Sequence, residues 1–143
     1  MRQVPQKAIE LIRKFEGCKL KAYKCAAGKW TIGYGHTGKD VYEFLDITQD
    51  QAEIMLLQDA QEACDAVLRL VKVPLTDNEL SALISLCFNI GMTNFKKSTL
   101  LRILNLGWYE QVPAQIMRWN KVNGEVLGGL SRRRAAESAL WSK

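Results

Sequence analysis

The chain contains few of the residues and patterns that mark metal-binding, secreted or membrane-spanning proteins. It has one histidine and four cysteines in 143 residues, and no two cysteines form a Cys-x-x-Cys pair. That leaves too few close ligands for a structural zinc site. No apolar run approaches the roughly 18 residues of a transmembrane helix, and basic residues interrupt the first 15 positions where a signal peptide would need an apolar core. We therefore expect no metal, no cofactor and no stable membrane insertion.

What the sequence does contain is typical of one globular unit. Hydrophobic residues make up 48% and charged residues 24% of the chain, and a chain of this length can bury roughly two-thirds of its unfolded surface. The formal net charge of +5 favours an anionic partner. Nucleic acid and an acidic cell-wall polymer both fit that charge, which does not choose between them.

The segment before Gly17 has the pattern of an amphipathic helix that ends at a carboxyl group. Pro5 suits a first helical turn, and Gly17 suits the end of a helix. An apolar face recurs at helical spacing between them, formed by Ala8, Leu11, Ile12 and Phe15. Glu16 is then at the helix C-terminus, where the macrodipole disfavours its negative charge. Such a carboxyl could act as a general acid, although most glutamates are ordinary solvated side chains.

The rest of the chain predicts a hairpin followed by helices. Trp30, Ile32 and Tyr34 alternate with smaller residues, after a turn over 26–29. Capping boxes at 48–51 and 76–79 predict a long helix that ends before Pro74 and a second helix that ends near Gly91. The remaining elements are predicted as a turn over 92–97, a helix capped by Ser98 that stops at Gly107, a helix containing Val112, Ile116 and Trp119, a loop over 122–129, and a last helix capped by Ser131 that runs to Trp141.

Several of these segments together resemble the phage-type lysozymes, the endolysins that cut bacterial peptidoglycan. Glu16, Cys25 and Thr31 follow the spacing Glu, eight residues, Cys, five residues, Thr, which is similar to the family's catalytic triad with Asp or Cys in the middle. WTIGYGHT resembles the hairpin that carries the threonine, SLCFNIG resembles the central helix, and GGLSRRRAAE resembles the closing arginine-rich helix. In this order the motifs cover nearly the whole chain.

The resemblance implies a fold and an activity. The fold is α+β and predominantly helical, with a small β-containing lobe over about 14–50, a linking helix over about 48–71 and a helical lobe over about 74–143. The activity is inverting hydrolysis of the β-1,4 bonds between N-acetylmuramic acid and N-acetylglucosamine, for host-cell lysis. Glu16 would protonate the leaving oxygen, while Cys25 and Thr31 would hold the attacking water. A catalytically silent wall-binding module is the alternative; a nucleic-acid binder would need a recognition element that is not evident.

The resemblance also implies supporting and substrate-binding residues. Thr37, Phe88 and Ser98 match positions that line the family's sugar cleft, although Phe88 could equally be a core residue. One of Arg132 and Arg133 would reach back to Glu16, whereas the default for such a charge run is a solvated face. His36 is expected to make a supporting hydrogen bond. We further expect a monomer that acts on peptidoglycan, made in the host cytoplasm and released to the wall.

The four cysteines fall into two groups. Cys64 and Cys87 lie on apolar helical stripes and are predicted to be core residues. Cys18 and Cys25 are seven residues apart in a predicted loop-and-turn segment, where a chain reversal could bring them within disulfide range. That bond would remove the Cys25 thiol and switch the protein off. As a free group, Cys25 could act only as a thiolate or by orienting water, and Lys24 and Lys29 could favour the thiolate.

Overall fold

The computed structural model describes residues 2–143, which form a predominantly helical α+β structure with a small sheet, as the sequence predicts. The elements in chain order are α1 (Gln6–Glu16), β1 (Lys19–Lys24), β2 (Trp30–Gly33), β3 (His36–Thr37), α2 (Gln49–Leu70), α3 (Asp77–Ile90), α4 (Met92–Lys97), α5 (Thr99–Asn105), a 3-10 helix (Tyr109–Gln111), α6 (Val112–Met117), β4 (Lys121–Val122), β5 (Glu125–Val126) and α7 (Gly128–Trp141). None of the helices in this part of the chain combines the length and apolar character needed to cross a membrane.

The first three strands form an antiparallel sheet in the order β1-β2-β3. Thr31 on the central strand is opposite Tyr23 on β1 and Thr37 on β3. Ile32 is fully buried and Thr31 is 3% exposed, so both faces of β2 are covered at this point. Burial on both faces fixes the register of the strand that carries Thr31, because a one-residue slip would exchange its two faces.

The long helix α2 joins this sheet to the helical part of the protein. Its capping box is complete: the Gln51 amide donates to the Thr48 hydroxyl at 3.1 Å, and the Thr48 amide donates to the Gln51 side chain at 2.8 Å. The helix has 22 residues, about 33 Å at 1.5 Å per residue, and contacts both the sheet and α3. The predicted long helix is thus confirmed, while the exact limits of the two lobes stay a prediction.

Helix α3 runs through the centre of the hydrophobic core. All residues from 80 to 87 are buried, and the helix packs against α1, α2 and α7. Its own capping box at Thr76 and Glu79 and its end at Gly91 agree with the sequence prediction. Cys87 on α3 and Cys64 on α2 are both buried in the core, as predicted. Burial raises the pKa of Cys87 to about 12, so this thiol is a packing residue.

Two predicted irregular segments are regular in the structure. The predicted turn over 92–97 is the helix α4, whose fully buried Phe95 anchors it to the core. The predicted loop over 122–129 contains the β4–β5 hairpin. Its turn residues are Asn123 with φ +52° and Gly124 with φ +82°, and Asn-Gly is the preferred pair for a two-residue turn with positive φ at both positions. The sequence analysis missed that signal.

The starts and ends of the later helices show a further difference. Helix α5 is capped by Ser98, as predicted, but α7 begins at Gly128 and not at Ser131. Leu127 is the residue before α7, and its carbonyl accepts from the Ser131 amide at 2.9 Å. Ser131 is therefore inside the first turn, where its hydroxyl accepts from the Asn120 side chain at 3.2 Å. Helix α6 buries Val112 and Ile116, and Trp119 follows its end.

Candidate active site

Glu16 is the last residue of α1, and its carboxylate faces α7. Gly17 follows with φ +65°, a conformation that suits glycine and carries the chain away from the helix axis toward β1. Arg133 donates from Nη1 to Glu16 Oε2 at 2.5 Å, and its side chain is 3% exposed. Of the two arginines considered, Arg133 therefore contacts Glu16. Arg132 is exposed and lines a cavity of about 570 Å³ together with Glu16.

The carboxyl group of Glu16 also packs directly on Gly35, in the turn between β2 and β3. Gly35 has φ +76°, and a Cβ built there would lie 2.9 Å from Glu16 Cδ. That distance is shorter than a carbon–carbon contact, so a side chain at position 35 would displace the Glu16 carboxyl. The end of α1 is therefore held between Arg133 on one side and the turn after β2 on the other, which brings Glu16 next to the hairpin that carries Thr31.

Cys25 and Thr31 meet at the turn between β1 and β2. The Cys25 amide donates to the Lys29 carbonyl at 2.9 Å, and the Thr31 hydroxyl donates to the same carbonyl at 3.0 Å. Burial disfavours the Cys25 thiolate, but the Lys29 amide and the nearby Thr31 hydroxyl favour it more, so the pKa of Cys25 is lowered. These hydrogen bonds, and not the charges of Lys24 and Lys29, are the main causes of the lowered pKa of Cys25.

Tyr23 links this turn to Glu16. Burial raises the pKa of the Tyr23 hydroxyl, and the negative charges of Glu16 and Cys25 raise it further. Both groups are therefore close enough to Tyr23 to act on it. Tyr23 pairs with Thr31 across the sheet, and the sequence analysis did not select it. Tyr23 could have been identified in the sequence from its position on the strand that pairs with Thr31.

Two of the three predicted sugar-cleft residues line one cavity. Thr37 and Phe88 border a cavity of about 200 Å³ between β3, α2 and the end of α3, together with Gly35, Asp59, Glu62, Ala63, Cys87, Gly91 and Met92. Ser98 is elsewhere. Its hydroxyl donates to the Phe95 carbonyl at 2.7 Å and accepts from the Leu101 amide at 3.1 Å. Ser98 does not line this cavity, and its buried hydroxyl caps α5.

His36 connects β3 to α2 beside this cavity. Its Nδ1 lies 2.7 Å from Asp59 Oδ2, and its Nε2 lies 3.0 Å from Asp40 Oδ2. Burial alone would lower the pKa of His36, but the hydrogen bonds and charges of the two aspartates raise it. Burial also raises the pKa of Asp59. His36 therefore makes the kind of supporting contact that the sequence suggested, next to Thr37.

A buried polar cluster below Glu16 escaped the sequence analysis. Arg133, Arg134 and Ser85 each lie within hydrogen-bonding distance of the Glu137 carboxylate, in the core between α3 and α7. Glu137 and Arg134 are fully buried. The available signal was the i, i+4 spacing of Arg133 and Glu137 on one helix, but neither that spacing nor the arginine run indicates burial.

The structure contradicts the premise of the predicted disulfide. Cys18 and Cys25 are free thiols, and the residues between them form strand β1 and not a reversing loop. The Cys18 thiol points to Gln49 at the start of α2, 3.7 Å from its side-chain oxygen, whereas Cys25 opens the turn at the other end of β1. Over the seven positions from Cys18 to Cys25, an extended strand at about 3.3 Å per residue spans roughly 20 Å. A disulfide allows a Cα separation of only about 4.4–6.8 Å.

The fold and the site together define the class of protein: a mainly helical structure in which a helix-terminal carboxylate, held by an arginine, adjoins a threonine-bearing hairpin at a cleft. Comparison with known proteins agrees. The model of the family described as Phage lysozyme matches residues 13–137. The chain is 47% identical over 146 residues to an endolysin of Acyrthosiphon pisum secondary endosymbiont phage 1, covering 96% of this chain and 97% of the relative.

Two further comparisons extend this result. An endolysin of Bacillus phage PZA is 45% identical over 98% of this chain, and the chain spans only 55% of that relative's length. The solved muramidase domain of SpmX from Asticaccaulis excentricus matches with a TM-score of 0.89 and 37% identity, covering 100% of this chain and 99% of that domain. The chain belongs to the phage lysozyme family.

Proposed function

We propose that this chain is an endolysin that hydrolyses the β-1,4 bonds between N-acetylmuramic acid and N-acetylglucosamine, with inversion at the anomeric carbon. Family membership makes it a peptidoglycan-hydrolysing lysis enzyme of the muramidase type. The bond and the stereochemistry are the proposed part. The observation that carries them is the placement of Glu16, which is fixed between Arg133 and Gly35 at the hairpin that carries Thr31.

In the proposed mechanism Glu16 is the general acid. It donates its proton to the glycosidic oxygen as the bond to the anomeric carbon breaks. A water held by Cys25 and Thr31 attacks that carbon from the opposite face of the sugar, which inverts its configuration. The lowered pKa of Cys25 supports a thiolate that accepts the proton of this water. Thr37 and Phe88 would contact the sugars in the adjoining cavity, whereas Ser98 has no place in this proposal.

We also propose the partner of this chain and the place where it acts. The chain would act as a monomer on peptidoglycan strands, without nucleic acid, after release from the host cytoplasm to the cell wall. The positive net charge suits the acidic wall. The same charge and cavity would also suit a catalytically silent wall-binding module, which is the second candidate. Clearing of a peptidoglycan suspension separates the two, because a binding module would not clear it.

The decisive experiment replaces Glu16. Glu16→Gln keeps the shape of the side chain but removes the proton donor, so we expect lysis to fall at least about 10²-fold while near-ultraviolet circular dichroism stays that of the wild type. Glu10→Gln is the matched control, because Glu10 is an exposed glutamate on the same helix. Full lysis by Glu16→Gln would overturn the proposed mechanism.

The stereochemistry has its own measurement. Nuclear magnetic resonance of product released from a defined glycan should show the α-anomer first, before mutarotation, as single displacement at a β-bond requires. An initial β-anomer would mean double displacement through a covalent intermediate. In that case a nucleophile, and not a water held by Cys25 and Thr31, would attack the sugar.

A further inference from the structure

Glu137 is a fully buried carboxylate with three hydrogen-bond donors around one of its oxygens. Ser85 on α3 donates from its hydroxyl to Glu137 Oε2 at 2.6 Å. Arg133 donates to the same oxygen from Nε at 3.4 Å, and Arg134 from Nη2 at 3.2 Å. Each of these neighbours donates to it, which favours the ionised carboxylate and opposes the burial that raises the pKa of Glu137. A lone ionised carboxylate in a core would be strongly unfavourable.

The contacts of Arg133 show what this carboxylate does there. Arg133 uses three different nitrogens: Nε points to Glu137 and Ser85, Nη2 donates to the Ser85 carbonyl at 3.2 Å, and Nη1 donates to Glu16 at 2.5 Å. A guanidinium is planar, so fixing two of its nitrogens fixes the direction of the third. Glu137 and Ser85 therefore determine where Nη1 meets the Glu16 carboxylate.

The charges of the cluster give Glu137 a second effect on Glu16. Arg133 and Arg134 bring two positive charges to the core below Glu16, and Glu137 is the negative charge buried among them. Arg134 Nε also lies 2.8 Å from Glu137 Oε1, too poorly aligned for a hydrogen bond but close enough for charge attraction. Without Glu137, the positive charge facing Glu16 would be less compensated and the general acid would give up its proton at lower pH.

We propose that Glu137 is a positioning residue for the hydrolysis, because it aims the Arg133 guanidinium at Glu16 and offsets the positive charge there. This inference rests on the proposed function of Glu16 as the general acid. Glu137 itself is enclosed in the core and does not touch the substrate cleft. The charged and titratable groups that face Glu16 from the surrounding elements are Arg133, Arg134 and Arg132 on α7, Lys14 on α1 and Tyr23 on β1.

The test is the pH dependence of lysis by Glu137→Gln, measured as kcat and KM on soluble peptidoglycan fragments. Removing one negative charge should move the alkaline limb of the kcat profile to lower pH by about one unit, which reduces activity about tenfold on that side. Glu137→Asp keeps the charge and should keep the limb near its wild-type pH. A purely structural role would lower the melting temperature and leave the profile where it was.

Controls separate this inference from the proposed function. Glu53→Gln makes the same change in another Arg–Glu pair, with Arg13 of α1, and should leave the profile unchanged. Glu16→Gln is assayed beside it: if that variant stays active, the proposed function fails and this inference with it. If Glu16→Gln is inactive but Glu137→Gln keeps the wild-type profile, only this inference is overturned. If Glu137→Gln does not fold, Ser85→Ala is used instead. We expect a several-fold loss in its kcat at unchanged KM. An unchanged kcat would overturn the inference.

Discussion

Gly35→Ala tests the close contact between the β2–β3 turn and Glu16. Gly35 has φ +76°, and holding a side-chain-bearing residue in this region costs roughly 1–2 kcal/mol. Alanine has less conformational freedom than glycine in the unfolded chain, and this difference offsets about 0.4–1 kcal/mol of that cost. The net destabilisation should therefore be about 1 kcal/mol, a fall in melting temperature of roughly 3 °C for a chain of this size.

The effect on activity should be much larger than the effect on stability. The new Cβ would lie 2.9 Å from Glu16 Cδ, whereas carbon atoms pack at about 3.5–4.0 Å. The carboxyl must move by several tenths of an ångström to about 1 Å from its present position against Gly35. A displacement of that size in a reacting group reduces turnover by about 10²-fold, so we expect a loss of ten- to a hundredfold in the clearing rate of a peptidoglycan suspension.

Gly107→Ala is the matched control for this prediction. Gly107 has φ +87° and no atom within 4 Å of a built Cβ, so it carries the same backbone penalty without the clash. Its melting temperature should fall by a similar amount while its activity per folded molecule stays at the wild-type level. Wild-type lysis by Gly35→Ala, or an equal activity loss in Gly107→Ala, would refute the reasoning.

Three further predictions concern the Ser98 cap of α5 and the thiols of Cys18 and Cys25. Ser98→Ala should reduce the free energy of unfolding by about 1 kcal/mol in urea titrations, with the KM for peptidoglycan unchanged; a raised KM would restore Ser98 to the substrate site. Iodoacetamide should alkylate native Cys25 at lower pH than the same residue in the urea-unfolded chain, because its pKa is lowered; identical pH profiles would contradict that shift. Peptide mapping of the air-oxidised native protein should find no Cys18–Cys25 cross-link, and a cross-link would show that β1 opens in solution.

The elements that could be predicted from sequence are those whose signals are local. The two capping boxes, the apolar stripes of α2 and α3 and the glycine at the end of α1 act through neighbours in the chain. For that reason the positions of Glu16 and Ser98 at helix termini agree with the structure. Local signals that were not used, such as the Asn123–Gly124 turn of the β4–β5 hairpin, account for part of what was missed.

Other parts of the site depend on packing between distant segments. Arg133 and Arg132 are adjacent in an arginine run, and only the rotation of α7 against α3 buries one and exposes the other. Gly35 contacts Glu16 because α1 ends against the turn after β2, a meeting that neither segment encodes alone. The separation of Cys18 from Cys25 likewise follows from strand pairing, since β1 is extended only while it bonds to β2.

The sequence by itself therefore determined the limits of α2 and α3 and the place of Glu16 at the end of α1, because helix caps and hydrophobic periodicity are short-range properties of the chain. Tertiary structure alone decided which charges meet. Glu137 shows this most clearly: its spacing from Arg133 on α7 would suit a solvated surface pair, yet it is fully buried beside Ser85. An ion pair is defined by distance in space and by exclusion of water, and a pattern along the chain encodes neither.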